Sequence, residues 1–205
     1  SNDGTLLKIA KQKGFRVLGV DPADNLSATS NDGVRTLTTF FNNKVSEDIV
    51  KEEGLFDFIV GLNVFAHSPD FLDMLRGVRT ALSPTGVVIF ECAYLFDTLV
   101  TGCFDTAYHE HVSCFSLTAF DSALKRAGLE GFHVERIPTQ GGSLRIYASL
   151  FPAAKTLKYQ ELLNVELEKG VFDERTYEII DEKVKYTKIE LPKILSFLKN
   201  EGPIV

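Results

Sequence analysis

Short apolar runs without period-two alternation, set between segments of helical period, constrain this chain more than any other feature. Phe15 to Val20, Phe56 to Leu62 and Val87 to Cys92 read as strands buried on both faces, and a further short strand falls within Val34 to Phe41. Helical patterns separate them. Leu6, Leu7 and Ala10 mark a short amphipathic helix that Gly14 ends, and Ser46-Glu47-Asp48 opens a second with acids where they complement the helix dipole. The clearest helix takes Ser68 as N-cap and Pro69 as its first residue, with Leu72, Leu75, Val78 and Leu82 along one face. Pro84 and Gly86 close it. This alternation predicts an α/β fold whose mostly parallel sheet is covered by helices on both faces.

The pattern changes in the second half. Ser116 caps a helix that runs through Ala127 and stops at Gly128. Phe132 to Ile137 and Leu144 to Leu150 then read as strands. Their short connection, Pro138 to Gly142, permits a hairpin, so this C-terminal pair is predicted to be antiparallel. From Thr156 to Asn200 the chain is helical and highly charged, with a break expected at Pro192. Residues 1–151 therefore form one core, and residues 152–205 a helical linker with the start of a further domain. A turn at the very beginning and the apolar Pro203-Ile204-Val205 at the end suggest a fragment of a longer protein.

Composition excludes several classes of function. The chain has 205 residues, 44% hydrophobic and 24% charged, with a formal charge of -6. It carries no Lys/Arg stripe of the kind that grips nucleic acid, and its longest apolar runs are too short to cross a bilayer. No signal peptide opens it. The three cysteines Cys92, Cys103 and Cys114 lack metal-ligand spacing and read as reduced thiols, which points to the cytoplasm. The expected state is a monomer.

Three positions suit a nucleoside-containing cofactor, because ligands of open α/β sheets gather at the carboxyl ends of the strands. Asn2, Asp3 and Gly4 form a small turn before the first helix. Asp21, followed by Pro22, ends a strand where an acid can accept hydrogen bonds from ribose hydroxyls, and Asn63 ends a later strand. Phe41, beside Phe40, is an aromatic that could flank adenine. The glycine fingerprint of dinucleotide binding is not present.

The densest chemistry lies at Tyr108-His109-Glu110-His111, which holds two of the four histidines. Two imidazoles, a carboxylate and a phenol in succession suit an acid/base site. In an extended segment Glu110 would oppose both histidines; in a helical turn Tyr108 and His111 would share a face. The spacing of His109, His111 and Cys114 fits no common metal motif.

The segments SNDGTLL, GVDPADNL, NVFAHSPD, FECAYLFDTL, FDTAYHEHVSCFSL and TQGGSLRIY, in that order over residues 1–151, resemble class I S-adenosylmethionine-dependent methyltransferases. More narrowly, they resemble the C-methyltransferases that act on nucleotide-linked keto-deoxysugars. That resemblance implies a Rossmann-like core with S-adenosyl-L-methionine as cofactor and a nucleotide-sugar as substrate. It implies His111 as a base that forms an enolate, Tyr108 and Glu110 as its partners, and His67 as a donor to the enolate oxygen. It makes Gly142, Ser143 and Arg145 substrate contacts, where Gly141-Gly142 read alone is equally a plain hairpin turn, and leaves His109 structural; His133, in a strand-like run, reads as structural without it. It also implies an N-terminal zinc-binding domain and a C-terminal domain that holds the nucleotide-sugar; the zinc domain and the first core strand are not in this sequence. Cys114 stands where the family usually has an aromatic, and Gln140 where histidine is common. The rival readings are a nicotinamide-dependent sugar-nucleotide dehydrogenase or epimerase, and a methyltransferase-fold fragment without turnover.

Overall fold

The computed structural model describes residues 4–23 and 34–202. They fall into two compact units, one drawn from Ser1–Leu55 and Asp73–Ala81, the other from Phe56–Leu72 and Leu82–Val205.

In the first unit, α1 (Thr5–Gln12) starts from Gly4, a buried residue at φ 76°, where a side chain would be strained. Strand β1 (Gly19–Asp21) pairs in parallel with β2 (Thr36–Thr38). The predicted strand from Phe15 is thus much shorter, because β2 supplies only three rungs. Helix α2 (Asn43–Glu53) begins earlier than Ser46, since the Asn42 side chain accepts the Val45 N–H at 2.8 Å and sets the cap. Ser46 instead sits buried in the second turn and donates its hydroxyl to the Gly77 carbonyl at 2.6 Å. Gly77 belongs to α3 (Phe71–Ala81), and a Cβ there would press into the Asn42 carbonyl. Ser68 and Pro69 precede that helix rather than starting it. The Ser68 N–H closes a 3₁₀ turn, Phe65–His67, on the Phe65 carbonyl, so Ser-Pro-Asp is spent as a connector.

The second unit is built on a four-stranded sheet of β3 (Phe56–Leu62), β4 (Leu82–Ala93), β5 (Glu130–Ile137) and β6 (Ser143–Ser149), in the order β3-β4-β6-β5. β3 and β4 are parallel; β6 runs antiparallel to both neighbours, as the predicted hairpin requires. Pro84 and Gly86 lie inside β4 and do not separate helix from strand. The ladder passes from Phe56–Leu82 to Phe58–Val87 through an irregularity, and Gly86 leaves the room that the Leu82 side chain fills.

Val88, Phe90 and Cys92 of β4 share a face with Ala148, Ile146 and Leu144 of β6 and with Val134 of β5, and all are buried. Helix α5 (Leu117–Ala127) buries Leu117, Phe120 and Leu124 on this side; the Phe120 ring lies 5.1 Å from Phe90 and 5.1 Å from Phe71. The other face differs from expectation. Phe58, Val60 and Leu62 remain between 39% and 58% exposed, so the apolar run of β3 does not mark burial on both sides. Three further helices complete the unit: α4 (Leu95–Thr101), α6 (Leu157–Glu168) and α7 (Glu174–Glu201). α7 runs through Pro192 without a break, because its surroundings are exposed and water can take the carbonyl that proline leaves open. No described helix is long and apolar enough to cross a membrane.

Two buried acids fasten α6 to α5. Glu166 is fully buried, and its carboxylate accepts the N–H groups of Leu117 (2.6 Å) and Thr118 (2.8 Å) and the Thr118 hydroxyl (2.7 Å). It neutralises the positive end of α5, while the Ser116 hydroxyl accepts the Ala119 N–H. Replacing Glu166 by Gln keeps the shape but removes the charge and sets an amide against donor N–H groups. The expected loss is about 1.5–3 kcal/mol, read as a lower urea midpoint at unchanged slope.

Asp121 accepts hydrogen bonds from the Tyr159 hydroxyl and the Lys155 ammonium at 2.7 Å and pairs with Lys125 at 2.8 Å. Burial raises its pKa, but these bonds outweigh burial and hold the carboxyl below its ordinary 3.8. Its stabilising contribution is therefore complete above pH 3.8 and is lost as pH falls through the lower folded-state value. The unfolding midpoint of Asp121→Asn should accordingly vary less than that of the wild type between about pH 5 and pH 2.

Candidate active site

Two loops of the second unit bring the acid/base side chains together. The first leaves β3 at Asn63, which adopts the left-handed conformation (φ 52°) and donates its N–H to the Glu91 carbonyl at 2.8 Å. The 3₁₀ turn that follows buries Phe65 against Phe90, with ring centres 4.8 Å apart, under a position where only glycine, Gly61, fits. His67 is thereby delivered at the exposed end of the turn. The second loop connects α4 to α5. Its residues Val112 and Ser113 donate their N–H groups to one acceptor, the Ala66 carbonyl, at 3.0 and 3.3 Å. Tying the loops at the residue before His67 puts the His67 and His111 rings 4.9 Å apart, edge to face.

The Tyr108–His111 segment is a turn, closed by the His111 N–H on the Tyr108 carbonyl at 3.0 Å. Of the two conformations open to the sequence, the turn is therefore adopted, and Tyr108 and His111 share a face. The geometry also fixes the imidazole. His111 Nδ1 lies 2.8 Å from the Thr106 carbonyl oxygen, which can only accept, so Nδ1 carries the proton. Nε2 is then the basic nitrogen, and the Tyr108 hydroxyl donates to it at 3.1 Å. Glu110 takes no part in this group: its exposed carboxylate faces the His109 imidazole at 3.8 Å, and His109 is 87% exposed. His133 lies in β5, its Nδ1 3.0 Å from the Thr156 hydroxyl.

The Thr106 carbonyl was not legible in the sequence, nor was what holds it. The Thr106 hydroxyl donates to the Cys103 carbonyl at 3.0 Å, and Cys103 follows the α4 C-cap, Gly102. From α7, the Lys183 ammonium donates to the Val100 carbonyl at 2.9 Å, and its stem fills the space beside Gly102. The glycine turn approaches the same loop, since Gly141 sits against the Cys103 thiol. A charged residue on a remote helix and a run of backbone carbonyls leave no signature in a sequence motif.

The predicted substrate residues occupy mixed settings. Gln140, Gly141 and Gly142 all have positive φ, and the Asp97 carboxylate occupies the space a Gly142 side chain would need. Asp97 is buried and pairs with Arg136 through Nε, at 3.0 Å, and Nη2. Ser143 is fully buried and spends its hydroxyl on the Thr139 carbonyl. Arg145 donates from Nε and Nη2 to the buried Glu91 carboxylate at 3.1 and 2.8 Å. Cys92 is a buried thiol whose pKa burial pushes up to about 12, so it stays protonated and unreactive. Among the described residues, no group of three His, Cys, Asp or Glu side chains could hold a metal ion.

In the first unit, Asp21 closes β1 and accepts the Ala23 N–H at 3.0 Å, Pro22 follows it exposed, and Phe41 is half-buried just before the Asn42 cap. Asn2 and Asp3 lie outside the described residues.

Residues 1–134 match the family described as Methyltransferase domain. The chain belongs to this family. Its fold is the Rossmann-like α/β fold of class I S-adenosylmethionine-dependent methyltransferases, with the antiparallel β5–β6 pair at the sheet's end. The chain is 38% identical over 176 residues to the C-methyltransferase NovU of Streptomyces niveus, a match that takes in 83% of the chain but 41% of NovU. Among solved structures it superposes on magnesium protoporphyrin IX methyltransferase (ChlM) of Synechocystis with bound SAH, at a TM-score of 0.55 and 14% identity, covering 72% of this chain and 69% of that one. A methyltransferase of Anabaena variabilis gives a TM-score of 0.55 at 13% identity, covering 72% and 73%.

The hydrogen-bond pattern at His111 makes a direct spectroscopic prediction. Nitrogen-15 shifts of the neutral His111 ring should show a protonated Nδ1 and an unprotonated Nε2. Tyr108→Phe should move the Nε2 resonance and leave Nδ1 protonated; a predominantly Nε2–H ring would contradict the assignment.

Proposed function

We propose that this methyltransferase is an S-adenosylmethionine-dependent C-methyltransferase that alkylates the carbon beside the ketone of a nucleotide-linked deoxysugar. The observation that carries the reading is the Tyr108–His111 pair, an imidazole held with its basic Nε2 outward and a phenol hydrogen-bonded to it. The likeness to NovU, a C-methyltransferase, supports carbon as the acceptor.

A sugar carbon becomes nucleophilic only after losing a proton, and a neighbouring ketone makes that loss feasible by spreading the charge onto oxygen. His111 Nε2 takes the proton, a contribution typically worth about 10²–10⁴-fold. The Tyr108 hydroxyl, which occupies the Nε2 lone pair in this structure, turns to the ketone oxygen as the substrate C–H takes its place. His67 offers a second donor to the enolate oxygen. The Thr106 carbonyl keeps Nδ1–H bound throughout, so the imidazolium that forms carries a partner on its far side. Its proton then leaves to solvent. Glu110, on the exposed rim, is assigned to the sugar rather than to the base.

The first unit fits the cofactor chemically. Asp21 places a half-buried carboxylate at the carboxyl end of a parallel strand, as an acceptor for ribose hydroxyls, and the glycine conformation of Gly4 opens the start of α1. Asn2, Asp3, Gly4, Asp21, Pro22 and Phe41 are the contacts this unit would offer, and Asn63 has the same assignment in the second unit. When bound, S-adenosylmethionine supplies an electrophilic methyl group. Gly142, Ser143 and Arg145 are assigned to the substrate side, Ser143 through its backbone because its hydroxyl is spent within the turn.

Calorimetry should show binding of S-adenosylmethionine and none of NADH. His111→Asn should abolish both methyl transfer and deuterium exchange at the carbon beside the ketone. Tyr108→Phe should slow exchange by about 10²-fold or more, by removing a donor to the developing oxyanion. Exchange that survives intact in His111→Asn would remove His111 as the base, and a chain that binds the cofactor but exchanges no deuterium would be a fold without turnover.

A further inference from the structure

His111 has a support that lies outside its own loop. The loop leaves α4 at Gly102, and the carbonyls of a helix's last turn lack partners within the helix and carry the negative end of its dipole. α4 has no basic residue in that turn. The cation comes instead from α7, 83 residues further along the chain, where the Lys183 ammonium donates to the Val100 carbonyl at 2.9 Å. Gly102 stands at φ 72°, ψ 29°, and a Cβ there would run into the Lys183 stem. Water could take the Val100 carbonyl, but water has no stem to lay across the residue where the helix ends.

Short steps lead from that contact to the imidazole. The Cys103 N–H donates to the Thr101 hydroxyl at 3.4 Å, which keeps Cys103 against the last turn of α4. The Cys103 carbonyl accepts the Thr106 hydroxyl at 3.0 Å across the 3₁₀ turn Phe104–Thr106. The Thr106 carbonyl then accepts the Tyr108 N–H at 3.2 Å and the His111 Nδ1–H at 2.8 Å. The far end of the loop is fixed separately, by Val112 and Ser113 on the Ala66 carbonyl and by the Leu95 N–H on the Phe115 carbonyl at 2.9 Å. At the near end, the charged partner from another element is Lys183.

We propose that Lys183 is a positioning residue for proton abstraction. By holding the end of α4 it holds the Thr106 carbonyl where the proton of neutral His111 stays on Nδ1, leaving Nε2 free as the base. Lys183 itself does not touch the reacting atoms. Its kinetic consequence rests on the reading of His111 as the base, whereas the tautomer does not. Once Lys183 is released, the near end of the loop shifts, the Nδ1–Thr106 bond weakens, and the ring populates the Nε2–H form that cannot accept a proton. The reacting nitrogen also moves, and a misplacement of about 1 Å can cost about 10²-fold in rate.

Three variants test this. Lys183→Met keeps a stem beside Gly102 without the ammonium, Lys183→Ala removes both, and Lys185→Met alters an exposed lysine of the same helix as a control. In nitrogen-15 spectra of the neutral His111 ring, taken without cofactor or substrate, the ratio of Nε2–H to Nδ1–H should rise by at least ~5-fold in Lys183→Met. It should rise further in Lys183→Ala and stay at the wild-type value in Lys185→Met. Deuterium exchange at the carbon beside the ketone should fall by ~10-fold or more in kcat, with KM within ~2-fold. Urea midpoints close to that of the wild type should separate these effects from loss of the fold. An unchanged His111 tautomer in Lys183→Ala overturns the proposal whatever the kinetics, and so does a fall in exchange carried by KM alone. A tautomer that shifts as expected, in a protein whose wild type catalyses neither exchange nor methyl transfer, supports the positioning role and removes the reaction assignment.

Discussion

Everything that can be called a site in the second unit hangs from β4. This strand is hydrogen-bonded on both sides, in parallel to β3 and antiparallel to β6. Its neighbours therefore end at the same level: β3 releases the loop to His67, β4 runs on into α4 and the loop to His111, and β6 enters from the glycine turn. Since Phe90 and Cys92 are buried on one face, a register slip of one residue would carry the whole apolar set to the other face. The apolar face thus sets the register, and the register sets which loops meet.

The loops themselves have little regular structure, and their geometry comes from backbone groups that find unusual partners. The Ala66 carbonyl accepts two N–H groups from the His111 loop, and the Thr106 carbonyl accepts the imidazole of the same loop. Buried carboxylates do the corresponding work beneath them. Glu91 and Asp97 each hold an arginine that reaches outward, and Glu166 ends the N–H row of α5. A buried carboxylate without such partners would be costly, so each acid fixes its partner as firmly as the partner fixes it. Lys183 extends the same logic to α7, where one ammonium closes the end of α4 and so bears on the loop of Thr106.

Legibility followed the range of the interaction responsible. The α5 caps at Ser116 and Gly128 and the β5–β6 hairpin were readable because a cap or a tight turn is decided within a few residues. Ser68-Pro69 and Ser46 misled for a related reason: the caps they suggest were already satisfied, by the Phe65 turn in one case and by Asn42 in the other. Pro192 stayed in a helix because the break it predicts presumes that an open carbonyl must be avoided, and at an exposed position it need not be. Phe58, Val60 and Leu62 show the limit of hydrophobic runs, which record a tendency to be covered and not the covering itself.

By itself, the sequence determined the residue types available for proton transfer, the α/β alternation, and the family, since each is carried by composition or order along the chain. The tertiary structure alone decided that Tyr108 and His111 act as a pair, that Nδ1 bears the proton, and that Glu110 stands apart from them. It alone showed that buried Asp97 holds Arg136 and buried Glu91 holds Arg145. The reason is physical: a tautomer is chosen by a carbonyl five residues away in a loop, and the Glu91–Arg145 ion pair by strands that pair across the sheet. Such contacts depend on where the chain returns, which no local pattern encodes.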